Sequence, residues 1–121
     1  MADLYNTLVY RHATTPSNKG KLTHPTKIFP GQNVSCGDEV RFYVKLNSKN
    51  IITDVRWEGS GCAISQAASS ILSNMIKGKT LKQAQAMKTA VLLKKLAVDL
   101  SPSRVKCAVL PLYTIKGINF E

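Results

Sequence analysis

Val40-Arg41-Phe42-Tyr43-Val44-Lys45-Leu46, Asn47-Ser48-Lys49-Asn50, and Ile51-Ile52-Thr53-Asp54-Val55-Arg56-Trp57-Glu58 form the stretch from which the rest of the chain is read. In the first run Val40, Phe42, Val44 and Leu46 alternate with Arg41, Tyr43, Lys45 and Asn47, the period of two that a half-buried strand requires. In the last run Ile51, Thr53, Val55 and Trp57 alternate with Ile52, Asp54, Arg56 and Glu58. Ser48-Lys49-Asn50 is polar and short enough to turn the chain, so the two runs read as an antiparallel hairpin.

Toward the C-terminus the period changes. Gly59-Ser60-Gly61 ends the second strand, and Ile64, Ala67, Ala68, Ile71, Leu72, Met75 and Ile76 then trace one apolar helical stripe. Gly78 is placed to close that helix as its C′ residue. Thr80 can cap a short helix carrying Leu81, Ala84 and Met87, and Thr89 another with Leu92, Leu93 and Leu96 inward. Ser101-Pro102-Ser103 reads as a break, with a last helix from about Val105 to Ile118. Toward the N-terminus, Leu4, Leu8 and Val9 share a helical face behind Asp3 as N-cap, in a helix ending near His12. Ala13 to Gly20 is turn-rich, and residues 21–35 hold Pro25, Pro30 and Gly31, leaving room for one short edge strand at most. A helix, a small sheet and then helices give an α+β fold with helices on one sheet face. Its 121 residues suit one domain spanning the chain.

Composition narrows the function. No apolar run approaches a membrane span, which needs about 18 residues or more. Met1 to Asn6 has no basic and apolar signal pattern, so a cytoplasmic protein is expected. Lysine and arginine total 17 against 7 acidic residues, a net charge of +10, which favours an acidic partner. Lys77, Lys79, Lys82, Lys88, Lys94 and Lys95 concentrate that charge in the helical region, as a docking face or a solvated one. Nucleic acid is disfavoured, because no recognised binding motif and little aromatic interleaving accompany the charge. Ser65, Ser69, Ser70 and Ser73 lack a nucleophile elbow, and no glycine-rich phosphate loop is present.

The cysteines carry the chemistry. There are three, Cys36, Cys62 and Cys107, an odd number that argues against a disulfide framework. Cys36 precedes the first hairpin strand and Cys62 follows the second, so an out-and-back hairpin sets them at one end. Cys107 joins them if the last helix starts there. Cys62 at a helix start, with Gly59 and Gly61 beside it, and Cys107 after Arg104 and Lys106 are settings that favour thiolates. Asp38 stands two residues after Cys36 across Gly37 and can bring a carboxylate to the same place. Three thiolates and a carboxylate make four anionic ligands, which suit zinc; thiolate-rich sites also suit iron–sulfur clusters. With no CxxC pair, three isolated cysteines are also readable, though less readily, as small buried hydrophobes.

Ser35-Cys36-Gly37-Asp38, Gly59-Ser60-Gly61-Cys62-Ala63-Ile64-Ser65 and Arg104-Val105-Lys106-Cys107-Ala108-Val109-Leu110-Pro111 resemble the three cysteine motifs of the IscU/SufU scaffold family, the NifU-like N-terminal domains. Leu4-Tyr5 through Pro16-Ser17-Asn18-Lys19-Gly20 resembles that family's first helix and the turn after it. The resemblance implies a three-stranded antiparallel sheet with helices packed on it and a surface site at one end. It implies a site that takes persulfide sulfur from a cysteine desulfurase. A transient [2Fe–2S] or [4Fe–4S] cluster for apo iron–sulfur proteins, or Zn²⁺ in its place, would be held by Cys36, Asp38, Cys62 and Cys107. Lys106 stands where IscU-type members carry histidine and looks SufU-like, yet the spacing from Cys62 to Cys107 leaves no room for the usual SufU insertion. A zinc-bound sulfur acceptor that stimulates a desulfurase is therefore the alternative. His12 and His24 read as surface or structural residues. Lys106 reads either as a neighbour that activates Cys107 or as a solvated lysine.

Overall fold

The computed structural model describes residues 7–33, 37–97 and 100–117. Three strands, β1 (Lys27–Asn33), β2 (Asp38–Leu46) and β3 (Ile52–Ser60), form one antiparallel sheet in the order β1-β2-β3. Phe42 pairs with Trp57 and Val44 with Val55, and these four side chains are completely buried. The expected hairpin is present, with one difference at its turn. The register slips between Lys45 and Leu46, so that Lys45 faces Asp54 while Leu46 faces Ile52. Thr53 is the extra residue, its hydroxyl donating to the Lys45 carbonyl at 3.2 Å. A bulge reverses the in-out phase beyond it, which is why Ile52 is buried and Ile51, expected inward, is only half-buried.

The edge strand expected within residues 21–35 is β1, and Pro30 is tolerated there because an outer strand needs fewer ladder bonds. The opposite edge, β3, is covered by the turn after the first helix. The Trp57 N–H donates to the Asn18 carbonyl (3.0 Å) and the Gly20 N–H to the Trp57 carbonyl (2.7 Å). Both edges are thereby kept from pairing with other chains, one by covering and one by proline.

Five helices complete the described residues: α1 (Thr7–Thr14), α2 (Ala63–Ile76), α3 (Leu81–Gln85), α4 (Thr89–Leu96) and α5 (Pro102–Lys116). Asp3 and Leu4, expected to open the first helix, lie outside the described residues. That helix continues two residues past His12 to Thr14, whose hydroxyl donates to the Tyr10 carbonyl at 2.9 Å. Helix α2 buries Ile64, Ala67, Ala68, Leu72 and Ile76, and also Ser65, Ser69, Ser70 and Ser73. It is a central helix, covered by the sheet on one side and by α1 on another. Gly78 (φ 91°) follows it as expected. Thr80 and Gln83 form a reciprocal capping box for α3. Thr89 does not cap α4: Lys88 is the N-cap and Thr89 the first helical residue.

The last helix differs most from expectation. Pro102 is its first residue, and Ser101 caps it by accepting the Arg104 N–H at 3.4 Å. Proline has the φ that a first helical turn needs and no N–H to lose there, so Ser-Pro opens this helix and does not break the chain before it. Gly117 (φ 73°) closes it at Lys116; Ile118 lies outside the described residues. Helix α5 lies against β1 so closely that a Cβ on Gly31 would stand 2.7 Å from Thr114 Cβ. Among the described residues no helix is long and apolar enough to cross a membrane.

The buried serines of α2 hold α1 and the turn after it. Ser70 Oγ accepts the Ser17 N–H (2.7 Å) and sits 2.6 Å from His12 Nδ1, while Asn18 Nδ2 donates to Ser73 Oγ (2.9 Å). The Ser70 hydroxyl has one proton and two acceptor sites, so beside the Ser17 N–H it can give a proton to Nδ1 or accept one from it, according to the imidazole tautomer. Burial, and then the charge of Arg11, lower the His12 pKa below 6.5. The unfolded chain therefore binds the proton more readily than the native one, and stability rises with pH. This stability is complete above about pH 6.5 and is lost as pH falls through the lowered native value. Urea unfolding at pH 7.5 and pH 5 is expected to show a smaller pH loss for His12→Gln than for the parent; equal losses would exclude His12 as the source.

Candidate metal centre

Each candidate ligand is delivered by a different element. Asp38 is the first residue of β2 and is buried. Cys62 is the N-cap of α2, with extended backbone (φ −74°, ψ 168°), and is half-buried. Its backbone N–H donates to Asp38 Oδ1 at 3.1 Å. The carboxylate thus satisfies a free N–H at a helix start, where the helix dipole also favours negative charge. Cys107 lies in the second turn of α5 and is 4% exposed, with its thiol 3.7 Å from the Ser103 carbonyl.

The expected boundary position of Cys107 is accordingly corrected. Because α5 begins at Pro102, Cys107 is interior to the helix and belongs to the buried core. Pro111, four residues on, has no N–H to donate to the Cys107 carbonyl.

One ligand atom from each of Asp38, Cys62 and Cys107 lies within 4.8 Å of the others. In tetrahedral coordination with metal–sulfur bonds of about 2.3 Å, neighbouring ligand atoms are about 3.8 Å apart. The three atoms therefore need to draw in by about 1 Å at most to share one ion. Two soft thiolates and one carboxylate fit zinc, and they fit iron in an iron–sulfur cluster. Cys36 lies outside the described residues, so the fourth candidate is placed only by its position in the chain, two residues before Asp38.

A cleft of about 350 Å³ opens over these groups, lined by Asp38, Gly61, Cys62, Ser103, Arg104 and Cys107. The basic residue on it is Arg104. Lys106, weighed from the sequence as an activator of Cys107, is exposed and is not among the lining residues. His12 and His24 are not part of the site: His12 is bonded to Ser70, and His24 is an exposed loop residue with φ 55°. Gly61 has a role beyond standing beside Cys62: its missing side chain makes room for the Asp38 carboxylate, since a Cβ there would lie 2.7 Å from Asp38 Cγ and 2.7 Å from Ser65 Oγ. The signal available was a glycine before a helix-opening cysteine; the carboxylate it accommodates comes from another strand.

A family model for the NifU-like N-terminal domain matches residues 4–118. The chain belongs to that family. It is 32% identical to an iron–sulfur cluster assembly scaffold protein IscU of Thermotoga maritima, the match covering 93% of this chain and 90% of that protein. It is 37% identical to a zinc-dependent sulfurtransferase SufU of Bacillus subtilis, over 69% of this chain and 56% of that one. Among solved structures, a protein of Fervidobacterium islandicum described as a cluster assembly scaffold for the SUF system superposes with a TM-score of 0.77. The two are 32% identical, over 93% of this chain and 94% of the other. A NifU-like N-terminal protein of Brucella abortus, 21% identical over 93% and 90% of the chains, shares the fold with a TM-score of 0.73. The expected three-stranded sheet with packed helices is the fold of this family.

Proposed function

We propose that this chain is an iron–sulfur cluster assembly scaffold, a carrier and not an enzyme, working in the cytoplasm. Cys36, Asp38, Cys62 and Cys107 are its cargo ligands. The observation that carries the reading is the convergence of Asp38, Cys62 and Cys107 to within 4.8 Å at one end of the sheet. The relatives named as scaffolds support it over most of the chain.

Cys62 is the more accessible of the two described cysteines and is the proposed first acceptor of sulfur. Its thiolate attacks the outer sulfur of a persulfide on a cysteine desulfurase. A new S–S bond forms on Cys62, the donor's S–S bond breaks, and the donor cysteine leaves as thiolate, so no oxidant is consumed. Arg104 at the rim favours the approach of that anion. Buried Cys107 and Asp38 then hold the iron that arrives. Lys77, Lys79, Lys82, Lys88, Lys94 and Lys95 are all exposed, a concentration of charge suited to faster docking of acidic partners at low salt.

The zinc-bound sulfur acceptor is the second reading. Lys106 before the third cysteine and the similarity to a zinc-dependent sulfurtransferase favour it. Anaerobic purification, followed by assay of zinc, iron and acid-labile sulfide before and after incubation with desulfurase, cysteine and ferrous iron, separates the two. Iron and sulfide rising together, and lost in Cys36→Ser, is the scaffold result. Zinc alone, with faster desulfurase turnover, is the acceptor result.

Asp38 is the hard ligand of the set and the one expected to keep a bound cluster exchangeable. Asp38→Ala is expected to lengthen cluster half-life severalfold, followed by the decay of visible absorbance with a chelator present. An unchanged decay rate would remove that role.

A further inference from the structure

Among the described residues, Asn33 carries the one buried side-chain nitrogen or oxygen with no hydrogen-bond partner: its amide Nδ2. The residue is 1% exposed. An unpaired buried amide is costly and uncommon, so its position needs a reason.

Asn33 ends β1 and stands directly opposite Asp38 on β2. Directly opposed residues of an antiparallel pair project from the same face, with Cβ atoms about 4.5–5.5 Å apart. Burial along β1 agrees: Phe29, Gly31 and Asn33 turn inward, while Ile28, Pro30 and Gln32 are exposed. Helix α5 crosses this face. Its Thr114 lies against Gly31, and its Cys107 converges with Asp38. Asn33 is therefore the inward residue between the Gly31–Thr114 contact and the ligand cluster. The other donors identified at the site are differently placed, since the Cys62 N–H is given to Asp38 Oδ1 and Arg104 is only half-buried.

We infer that Asn33 is a positioning residue of this site, its amide donating to sulfur held by Asp38, Cys62 and Cys107, whether a metal-bound thiolate or a sulfide of the cargo. The inference rests on the reading of that cluster as a metal and sulfur site. Metal-bound sulfur is an anionic acceptor, and hydrogen bonds to it tune affinity and potential. A donor from the buried side adds to what the rim can supply, because it works where water does not compete.

The test uses the whole chain with zinc and cobalt(II) as probes. Asn33→Leu replaces the amide with an apolar side chain of similar size. The metal-free variant should then be as stable as the parent or more so, because an unpaired buried donor is gone. Zinc affinity, measured by chelator competition, should fall about 10- to 100-fold. The sulfur-to-cobalt charge-transfer band should move to lower energy, since a thiolate that loses a hydrogen bond gives up electrons more easily. Zinc affinity within about twofold of the parent's would overturn the inference. So would a joint loss of metal-free stability and affinity with an unmoved band, the result expected if the amide serves only the fold. If Asn33→Leu does not fold, Asn33→Ala is read in its place by affinity and band position. A parent chain that takes up neither zinc nor cobalt would overturn the site reading itself. Binding by the parent that is unchanged in the variant overturns only the role of Asn33.

Discussion

Replacing Trp57 with alanine is expected to remove about 3–5 kcal/mol of stability, a large part of the roughly 5–15 kcal/mol that a domain possesses. Trp57 is completely buried, and three parts of the molecule meet on it. Its side chain lies in the face of β3 that packs against α2. Its indole N–H donates to the Ser17 carbonyl at 2.8 Å. Its own backbone accepts the Gly20 N–H and donates to the Asn18 carbonyl, with the Lys19 ammonium 5.3 Å above the ring. Removal of the indole opens a cavity and takes away its bond to Ser17, while the two backbone bonds of residue 57 to the turn remain. Trp57→Phe is the discriminating partner. It keeps most of the volume but no N–H, and the single Ser73 hydroxyl proton is already given to the Ser70 carbonyl at 2.6 Å, so the Ser17 carbonyl loses its short side-chain donor and about 1–3 kcal/mol is expected. Urea unfolding followed by circular dichroism measures both, since Trp57 is the chain's single tryptophan and fluorescence would vanish with it. A loss below about 1 kcal/mol for Trp57→Ala would show that the indole is not a packing centre of the fold.

That arrangement also shows which parts of the fold were legible from residues. The hairpin and α2 are written in side-chain periodicity, because burial of one face imposes a period of two on a strand and 3.6 on a helix. The bulge at Thr53 is not, since an extra residue in one strand is a property of the pair and of no single strand. The start of α5 was misplaced because Ser-Pro-Ser serves a helix start and a chain break equally well. What decides is whether a following backbone N–H donates to the serine, as that of Arg104 does to Ser101 Oγ.

For the site, the hairpin was enough to set Cys36, with Asp38 beside it, and Cys62 at one end, whereas Cys107 joined them only on the condition that the last helix starts there. Their individual surroundings were not legible. Cys107 is buried because α5 starts early and lies flat on β1, a contact that depends on Gly31 having no side chain. Arg104 reaches the cleft while Lys106 does not, a consequence of helical phase that follows once Pro102 is fixed as the first residue. Asn33 carried no sequence signal at all. An amide at a strand end is ordinary, and it becomes notable only when its burial and its missing partner are known.

Gly61→Ala is expected to lower zinc affinity about 10- to 100-fold while the sheet and helices persist. The new methyl would meet the Asp38 carboxylate from one side and Ser65 Oγ, at 2.7 Å, from another. Neither can yield freely: Asp38 is buried in the first position of β2, and Ser65 Oγ donates to the Cys62 carbonyl at 3.0 Å. The φ of Gly61, 152°, adds backbone strain for any other residue. The carboxylate is the part able to turn away, and in turning it leaves the Cys62 N–H and the ligand cluster together. A double-mutant cycle isolates this route. In an Asp38→Ala background the methyl has no carboxylate to displace, so Gly61→Ala should then weaken zinc binding by a few-fold at most, through strain alone. Chelator competition on the four proteins measures the coupling. Full additivity would mean that Gly61 acts on Cys62 through the backbone, with Asp38 a bystander. Strong non-additivity would place the Asp38 carboxylate on the route from Gly61 to the bound metal.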